Sequence, residues 1–267
     1  MVRVSIIMGI YNCAATLSEA IDSILNQTYT DWKLIMCDDG STDHTYEVAE
    51  AYLKQYPDKF ILLKNPCNMG LNYTLNNCLS VADGELIARM DGDDISLPER
   101  LEREVKFLDE HPQYAIVSTC MHYFDEKGIF RTGRANGEPV LKSMARTTPF
   151  CHAPCLVRAE AYRAVNGYTV DSKRLRVEDW DLWVRMYAKG YRGYMLNEPL
   201  YMMRDDRNAI TRRKLKYRIN EARMTVFAVK QLKLNKVHYR WVVRPILVAM
   251  LPKKIYQILH KRKQDNI

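Results

Sequence analysis

The sequence predicts an α/β fold built on a mostly parallel central sheet with helices on both faces. Three observations carry this. Short apolar, β-branched runs alternate with stretches of helical period through the first hundred residues. Polar clusters rich in Asp, Gly and Asn follow the apolar runs directly, as loops at strand ends do. No repeat of 20–50 residues breaks the alternation.

The elements follow in order. Val4 to Met8 reads as the first strand and Gly9-Ile10-Tyr11-Asn12 as the loop after it. Leu17, Ile21, Ile24 and Leu25 sit at helical spacing. Lys33 to Cys37 is the second strand and ends at Asp38-Asp39-Gly40-Ser41-Thr42-Asp43. A helix over Thr45 to Tyr56, a strand over Phe60 to Leu63, and a helix starting at Asn68-Met69-Gly70 come next. Leu86 to Met90 is a fourth strand running into Asp91-Gly92-Asp93-Asp94. Ser96 with Glu99 three residues on, and Pro98 between them, predicts a capping box for a helix carrying Leu101, Val105 and Leu108. Beyond it, Ile116 to Thr119 and Ala153 to Val157 read as strands, Met121 to Val140 as a loop across the front of the sheet, and Glu178 to Lys189 as a helix.

Composition bounds the rest. The 267 residues are 47% hydrophobic and 27% charged, which is globular rather than disordered. No apolar run reaches the ~20 residues of a bilayer span, and no secretory signal is read before the first strand. Seven scattered cysteines without a CxxC pair fit a reducing cytosol better than a disulfide framework. Cys151-His152 with Cys155 lacks a second ligand pair, which argues against structural zinc. Charge is divided unevenly. From Arg204 onward 18 Lys and Arg face four Asp and Glu, whereas residues 1–203 hold 22 against 28. An acidic body therefore carries a basic tail whose partners are anionic. Within it, Trp241, Ile246, Leu247, Leu251 and Ile255 interleave with Arg240, Arg244, Lys253 and Lys254, a composition suited either to a membrane surface or to helices packed on the domain. No nucleic-acid recognition motif accompanies the charge.

In an open parallel sheet, ligands bind beyond the carboxyl ends of the strands. Gly9 to Asn12, Asp38 to Asp43 and Asp91 to Asp94 all fall there. Three carboxylates in four residues repel one another unless water or a cation intervenes, and hard divalent cations prefer such oxygen ligands. Each cluster read alone also suits an ordinary strand-to-helix turn, and Glu178-Asp179 suits an ordinary helix start. Neither a Walker A sequence nor G-x-G-x-x-G is present.

SIIMGIYNC, LIMCDDGSTD, NPCNMGLNYTLN, ELIARMDGDDISLPERLE and VEDWDLWVRM, in this order, resemble a family 2 glycosyltransferase over residues 4 to about 215. The resemblance implies a GT-A, Rossmann-like domain over residues 1–215, with 216–267 as a helical basic extension. It implies an inverting, metal-dependent transferase moving a sugar from a nucleotide-sugar, UDP-linked for preference, to a glycan acceptor in cell-surface polysaccharide assembly. By the same resemblance Gly9, Ile10, Tyr11 and Asn12 line the nucleobase pocket and Asp39 bonds the base or ribose. Asn68 and Gly70 form the loop nearby, and Arg89, Asp91 and Gly92 face the donor. Asp93, with Asp91, holds Mg²⁺ or Mn²⁺, and Asp179 is the base. His152, Glu178, Trp180, Arg204 and Arg207 are expected near donor or acceptor. Asp205-Asp206 stand where many relatives place a histidine, and the first loop lacks their proline. The basic tail makes a lipid-linked acceptor and the inner face of the cell membrane the expected setting. Two alternatives are weighed: a sugar-phosphate nucleotidyltransferase, against which the uncharged MGIYNC loop argues, and an inactive membrane-surface protein of the same fold, against which the retained carboxylates argue.

Overall fold

In the computed structural model, which describes residues 2–134, 137–205 and 214–250, β1 (Val4–Ile10), β2 (Trp32–Asp38), β3 (Phe60–Lys64) and β4 (Leu86–Arg89) pair in parallel in the order β3-β2-β1-β4. Helices α1 (Ala14–Leu25), α2 (Thr45–Gln55) and α3 (Leu71–Val81) make the crossovers. β1 shows why. Ile6 and Met8 enter one core with Leu17, Ile21 and Leu34, while Ile7 between them enters a second with Ile35, Leu75 and Trp183. A strand apolar on both faces is stable only between two helical layers. Each such side chain, fully buried, contributes about 1.5–3 kcal/mol.

The second half extends this sheet. β5 (Ile95–Ser96), α4 (Arg100–Glu110), β6 (Ile116–Asp125), β7 (Gly128–Thr132), β8 (Leu156–Arg158), α5 (Ala159–Ala164), α6 (Glu178–Ala188) and β9 (Gly193–Arg204) follow in the chain. The sheet continues from β4 as β8-β6-β9-β5, with β7 on β6. β8 runs antiparallel to both β4 and β6, while β6 and β9 are parallel. Register shifts in β6 near Cys120 accommodate Pro199 of β9, which cannot donate to the ladder. The chain ends its described course in α7 (Leu215–Gln231), a 3-10 turn over Lys236–Val242 and α8 (Val243–Met250). α7 places Met224 and Ala228 in the core that holds Trp183, so the C-terminal extension starts as a helix packed on the domain.

Three expectations are corrected. The Ser96–Glu99 capping box does not form. Ser96 is a strand residue paired with Tyr201, and the first N–H groups of α4 are met by a different group: buried Gln27 accepts from Leu101 N at 3.1 Å and donates to Leu97 O at 2.8 Å. Met121 to Val140 is not a loop throughout, because β6 runs on to Asp125 and turns back into β7. The strand expected over Ala153 to Val157 is three residues, Leu156–Arg158.

Asp181, in the first turn of α6, is a structural anion. It is buried and accepts from Arg174 Nε at 2.6 Å, Arg185 Nε at 2.7 Å and Thr169 Oγ1 at 2.7 Å. Removing one partner of a buried ionic cluster leaves the others uncompensated. Asp181→Ala is expected to lower unfolding free energy by roughly 3–5 kcal/mol, measured by denaturant titration. A loss within error of zero would mean that the cluster is solvated.

Candidate active site

The three polar loops meet at the carboxyl edge of β1, β2 and β4. Asn12 adopts φ 48°, a left-handed geometry that asparagine tolerates. Its Oδ1 accepts from Thr42 N at 2.8 Å, tying the first loop to the second. Asp39 ties the second to the Asn68–Gly70 loop that follows β3. It is only 4% exposed, and its carboxylate accepts from Asn65 Nδ2 at 2.7 Å, Met69 N at 2.8 Å and Gly70 N at 2.9 Å. Asp39 thereby shapes the Asn68–Gly70 loop. Gly40 sits where those loops touch. Its φ is +71°, and a Cβ there would lie 2.6 Å from the Cys67 backbone. Gly40→Ala is expected to cost about 2–4 kcal/mol and to weaken nucleotide binding more than tenfold. Thermal melting and nucleotide titration check this, and an unperturbed titration would detach the loop from the site.

Between these loops and the Asp91–Asp94 turn lies a cavity of about 410 Å³ faced by Gly9, Tyr11, Asn12, Asp91, Gly92, Asp93 and Arg204. Tyr11 is exposed at its edge. Ile10, by contrast, is buried in the core beneath Gly92, so its side chain is not part of the lining, contrary to expectation. A larger cavity of about 600 Å³ between α3 and α5 has no acidic residue in its lining.

The Asp91–Asp94 turn is pinned on every side. Arg89 donates to Asp91 Oδ1 at 2.5 Å and to Met90 O at 2.7 Å. It is fully buried, so it orients Asp91 from below and does not face the donor as expected. Tyr201 Oη accepts from Asp91 N, Thr16 donates to Gly92 O, and Arg204 donates from its N to Asp94 Oδ1 at 2.8 Å and from Nε to Asp93 O at 2.9 Å. Arg204 also pairs with Glu19. These bonds rigidify the turn's backbone. Asp93 stands exposed at the cleft, and the protein around the cleft together with Asp91 pushes its carboxyl up. Asp94, buried beside Asp91 and Asp93, is pushed up to about 8. Crowded carboxylates of this kind fit a hard divalent cation, which needs one or two of them plus ligand oxygens. Among the described residues no set of three His, Cys, Asp or Glu converges on a metal, so Asp93 and Asp91 would share Mg²⁺ or Mn²⁺ with the donor diphosphate.

Asp179 lies in the first turn of α6. Burial pushes its carboxyl up to about 6, partly offset by the Trp180 N–H and the Thr148 hydroxyl. The helix start favours the ionised form, and burial works against it. Its place relative to the turn is marked by Cys151, whose thiol is pushed up to about 12 by burial and then by the charges of Asp179, Asp94 and Asp91. The base candidate and the Asp91–Asp94 turn thus both lie within electrostatic reach of Cys151.

Other expected contacts are placed elsewhere. Trp180 is buried, with its indole N–H on Met144 O at 2.8 Å, and so packs in the core and does not stack on a sugar. Glu178 turns back to accept from Arg176 N at 2.8 Å. His152 bonds Tyr168 Oη at 2.7 Å, and burial with Arg89 nearby depresses its pKa well below the usual value, leaving a neutral packed imidazole. Arg207 and Asp206 lie outside the described residues. Tyr201, Thr16 and Thr148 reach their places from distant segments and carry no local signal in the sequence.

This sheet and carboxylate rim define a nucleotide-sugar-type α/β transferase architecture, and comparison with known proteins makes it specific. The chain belongs to glycosyl transferase family 2, whose model matches residues 5–165, and it is a transferase enzyme. A second model, glycosyl transferase family group 2, matches residues 86–261. EpsE of Bacillus subtilis (strain 168) is 44% identical over 264 residues, covering 99% of this chain and 95% of that protein. The Escherichia coli UDP-Glc:alpha-D-GlcNAc-diphosphoundecaprenol beta-1,3-glucosyltransferase WfaP is 28% identical over 200 residues, 74% of this chain and 75% of that one. Staphylococcus aureus TarS (residues 1–349) in complex with UDP-GlcNAc superposes with a TM-score of 0.70 at 18% identity, covering 92% of this chain and 72% of that one. The mannosyltransferase PcManGT of Pyrobaculum calidifontis, in complex with GDP-Man and Mn²⁺, gives 0.65 at 18% identity over 98% and 79%. The fold is therefore GT-A.

Proposed function

We propose that this glycosyltransferase inverts the anomeric centre while moving a sugar from a UDP-sugar to a lipid-linked glycan acceptor in cell-surface polysaccharide assembly, at the inner face of the cell membrane. The observation that carries the reading is the cavity lined by Asp91 and Asp93 with Tyr11 and Asn12 at the carboxyl edge of the sheet, with Asp179 and that carboxylate turn both within electrostatic reach of Cys151. One carboxylate base opposite one diphosphate site suits a direct displacement, with no second carboxylate needed as a nucleophile. WfaP's acceptor is named as a diphosphoundecaprenol, and TarS was solved with UDP-GlcNAc, which favours a UDP donor and a lipid-linked acceptor.

In this reading Tyr11 and Asn12 hold the nucleoside end of the donor, and Asp39 fixes the loop beside it through Met69 and Gly70. Arg89 and Tyr201 hold Asp91 in place. A divalent ion bound at Asp93 and Asp91 supplies Lewis-acid stabilisation of the departing diphosphate. Asp179 accepts the proton of the acceptor hydroxyl as that oxygen attacks the anomeric carbon.

The test is a melting-temperature panel of UDP-, GDP- and CDP-sugars, each with and without Mn²⁺, followed by product analysis. A ligand that binds only the folded state raises the midpoint by mass action. A Mn²⁺-dependent shift with a UDP-sugar, and release of UDP on adding acceptor, is the expected result. Release of pyrophosphate from a nucleoside triphosphate and a sugar phosphate would overturn it in favour of nucleotidyl transfer.

A further inference from the structure

The outward face of α8 is apolar. Val243, Ile246, Leu247 and Met250 fall at i, i+3, i+4 and i+7 and are 54, 39, 60 and 75% exposed, whereas Pro245 on the inner side is buried. A helix on a soluble surface normally shows the opposite arrangement, with its apolar stripe turned to the core. The stripe is edged by cations. Trp241 lies between two guanidiniums, Arg146 at 4.9 Å and Arg240 at 5.0 Å from its ring. Arg244 stands near Arg146 and the Glu221–Arg218 ion pair. A groove of about 360 Å³ bounded by Arg240, Trp241, Arg244 and Leu247 joins the stripe to this basic edge.

The charge says what covers such a face. A second copy of the chain would bring the same cations onto one another. A surface that is apolar in depth and anionic at its rim satisfies both halves of the pattern, and an acidic phospholipid bilayer is that surface. Among the described residues no helix is long and apolar enough to cross it, so the contact is interfacial.

The face is also connected to the site. The 3-10 turn Lys236–Val242 packs on the turn Leu141–Ala145, and Arg146 after that turn holds Trp241. Met144 of the same turn accepts from Trp180, the neighbour of Asp179, and Thr148 bonds Asp179 itself. We infer that α8 and the turn before it are a docking face for an anionic phospholipid bilayer, seated on the segment that supports Asp179, so that a lipid-borne acceptor hydroxyl arrives on the side of Asp179. The second half of this inference rests on the lipid-linked acceptor proposed above; the docking itself does not.

Flotation of the full chain with vesicles tests it, using phosphatidylglycerol mixed into phosphatidylcholine against pure phosphatidylcholine at near-physiological salt. The parent is expected to float only with the anionic vesicles. Leu247→Glu with Met250→Glu, and separately Arg240→Glu with Arg244→Glu, are expected to lower the partition coefficient about tenfold or more. Both variants change exposed or rim positions, and an unchanged melting temperature and donor-induced shift verify that each is folded. Equal flotation with neutral vesicles, no flotation, or variants that float like the parent would overturn the docking face. So would a dimer in sedimentation that the Leu247→Glu, Met250→Glu variant dissociates, because the stripe would then be covered by a second copy. Loss of the donor shift in the parent would instead count against the proposed transfer reaction and leave the flotation result standing.

Discussion

Asp179→Asn is expected to lower sugar transfer about 10³-fold, within the range that positioned general bases contribute, while leaving nucleotide-sugar binding within about twofold of the parent. The substitution keeps the shape and the acceptor oxygen near Thr148 but removes the basic lone pair. The pH profile gives a second, independent readout. With the carboxyl pushed up to about 6, the parent rate should climb tenfold per unit below that pH and level off above it, because only the ionised form takes the proton. The variant should lack this limb. The sign for stability is opposite to that for activity. A carboxyl whose pKa rises on folding binds more protons in the native state, so its contribution to stability falls as pH rises from the unfolded value of about 4 toward 6. Asp179→Asn should therefore be as stable as the parent at acid pH and somewhat more stable at pH 8. A variant that transfers sugar at the parent rate, or a parent profile flat through pH 6, would remove Asp179 from the role of base.

What the sequence disclosed, and what it hid, follows from the range of the interactions. β1, β2 and β4 are legible because each is a short apolar run that ends in Asp, Gly or Asn, and both signals are local. α1 is legible through Leu17, Ile21 and Ile24. The hairpin of β6 and β7 is not, because His122, Tyr123 and Phe124 carry no clean alternation and their place is fixed by pairing with β9, some eighty residues on. The failed capping box has the same origin. Ser96 and Glu99 have the right spacing, yet Ser96 is drawn into pairing with Tyr201 and Gln27 of a distant loop caps α4 instead.

The site divides along the same line. The carboxylates were visible because three in four residues need an explanation. Their environment was not. Arg89 has the charge of a ligand-binding residue but lies buried under the turn, with its guanidinium on Asp91. Asp39 has the look of a base-binding carboxylate, and its anchoring of the next loop through the N–H groups of Met69 and Gly70 could not be read from spacing. Asp179 sits at a helix start, where local reasoning lowers its pKa, and the packing around it raises it. Spacing reveals which groups come together, whereas burial decides what state they are in.

Asp93→Ala is expected to abolish both catalysis and the Mn²⁺-dependent part of the melting shift, with transfer falling 10³-fold or more, the scale of losing a charge-stabilising group at the departing oxygen. The metal-free protein should respond in the other direction. Asp91, Asp93 and Asp94 crowd one turn, and Asp93 and Asp94 both have their carboxyls pushed up by burial and by their acidic neighbours. Deleting one of three repelling charges removes a cost that the parent bears whenever no cation is bound. The variant should therefore melt at or above the metal-free parent at pH 8, where the carboxylates are most ionised, and the difference should narrow toward pH 5 as they protonate. Adding Mn²⁺ with a UDP-sugar should reverse the ranking, since only the parent gains the ion. The backbone of the turn does not depend on the Asp93 side chain, being held by Tyr201, Thr16 and Arg204, so loss of activity would not reflect a collapsed loop. Calorimetry of both proteins with and without Mn²⁺ separates the outcomes. A variant that keeps its Mn²⁺ response would move the metal away from Asp93, and a variant that loses stability without metal would mean that Asp93 is a structural group and not a charge held in reserve for the ion.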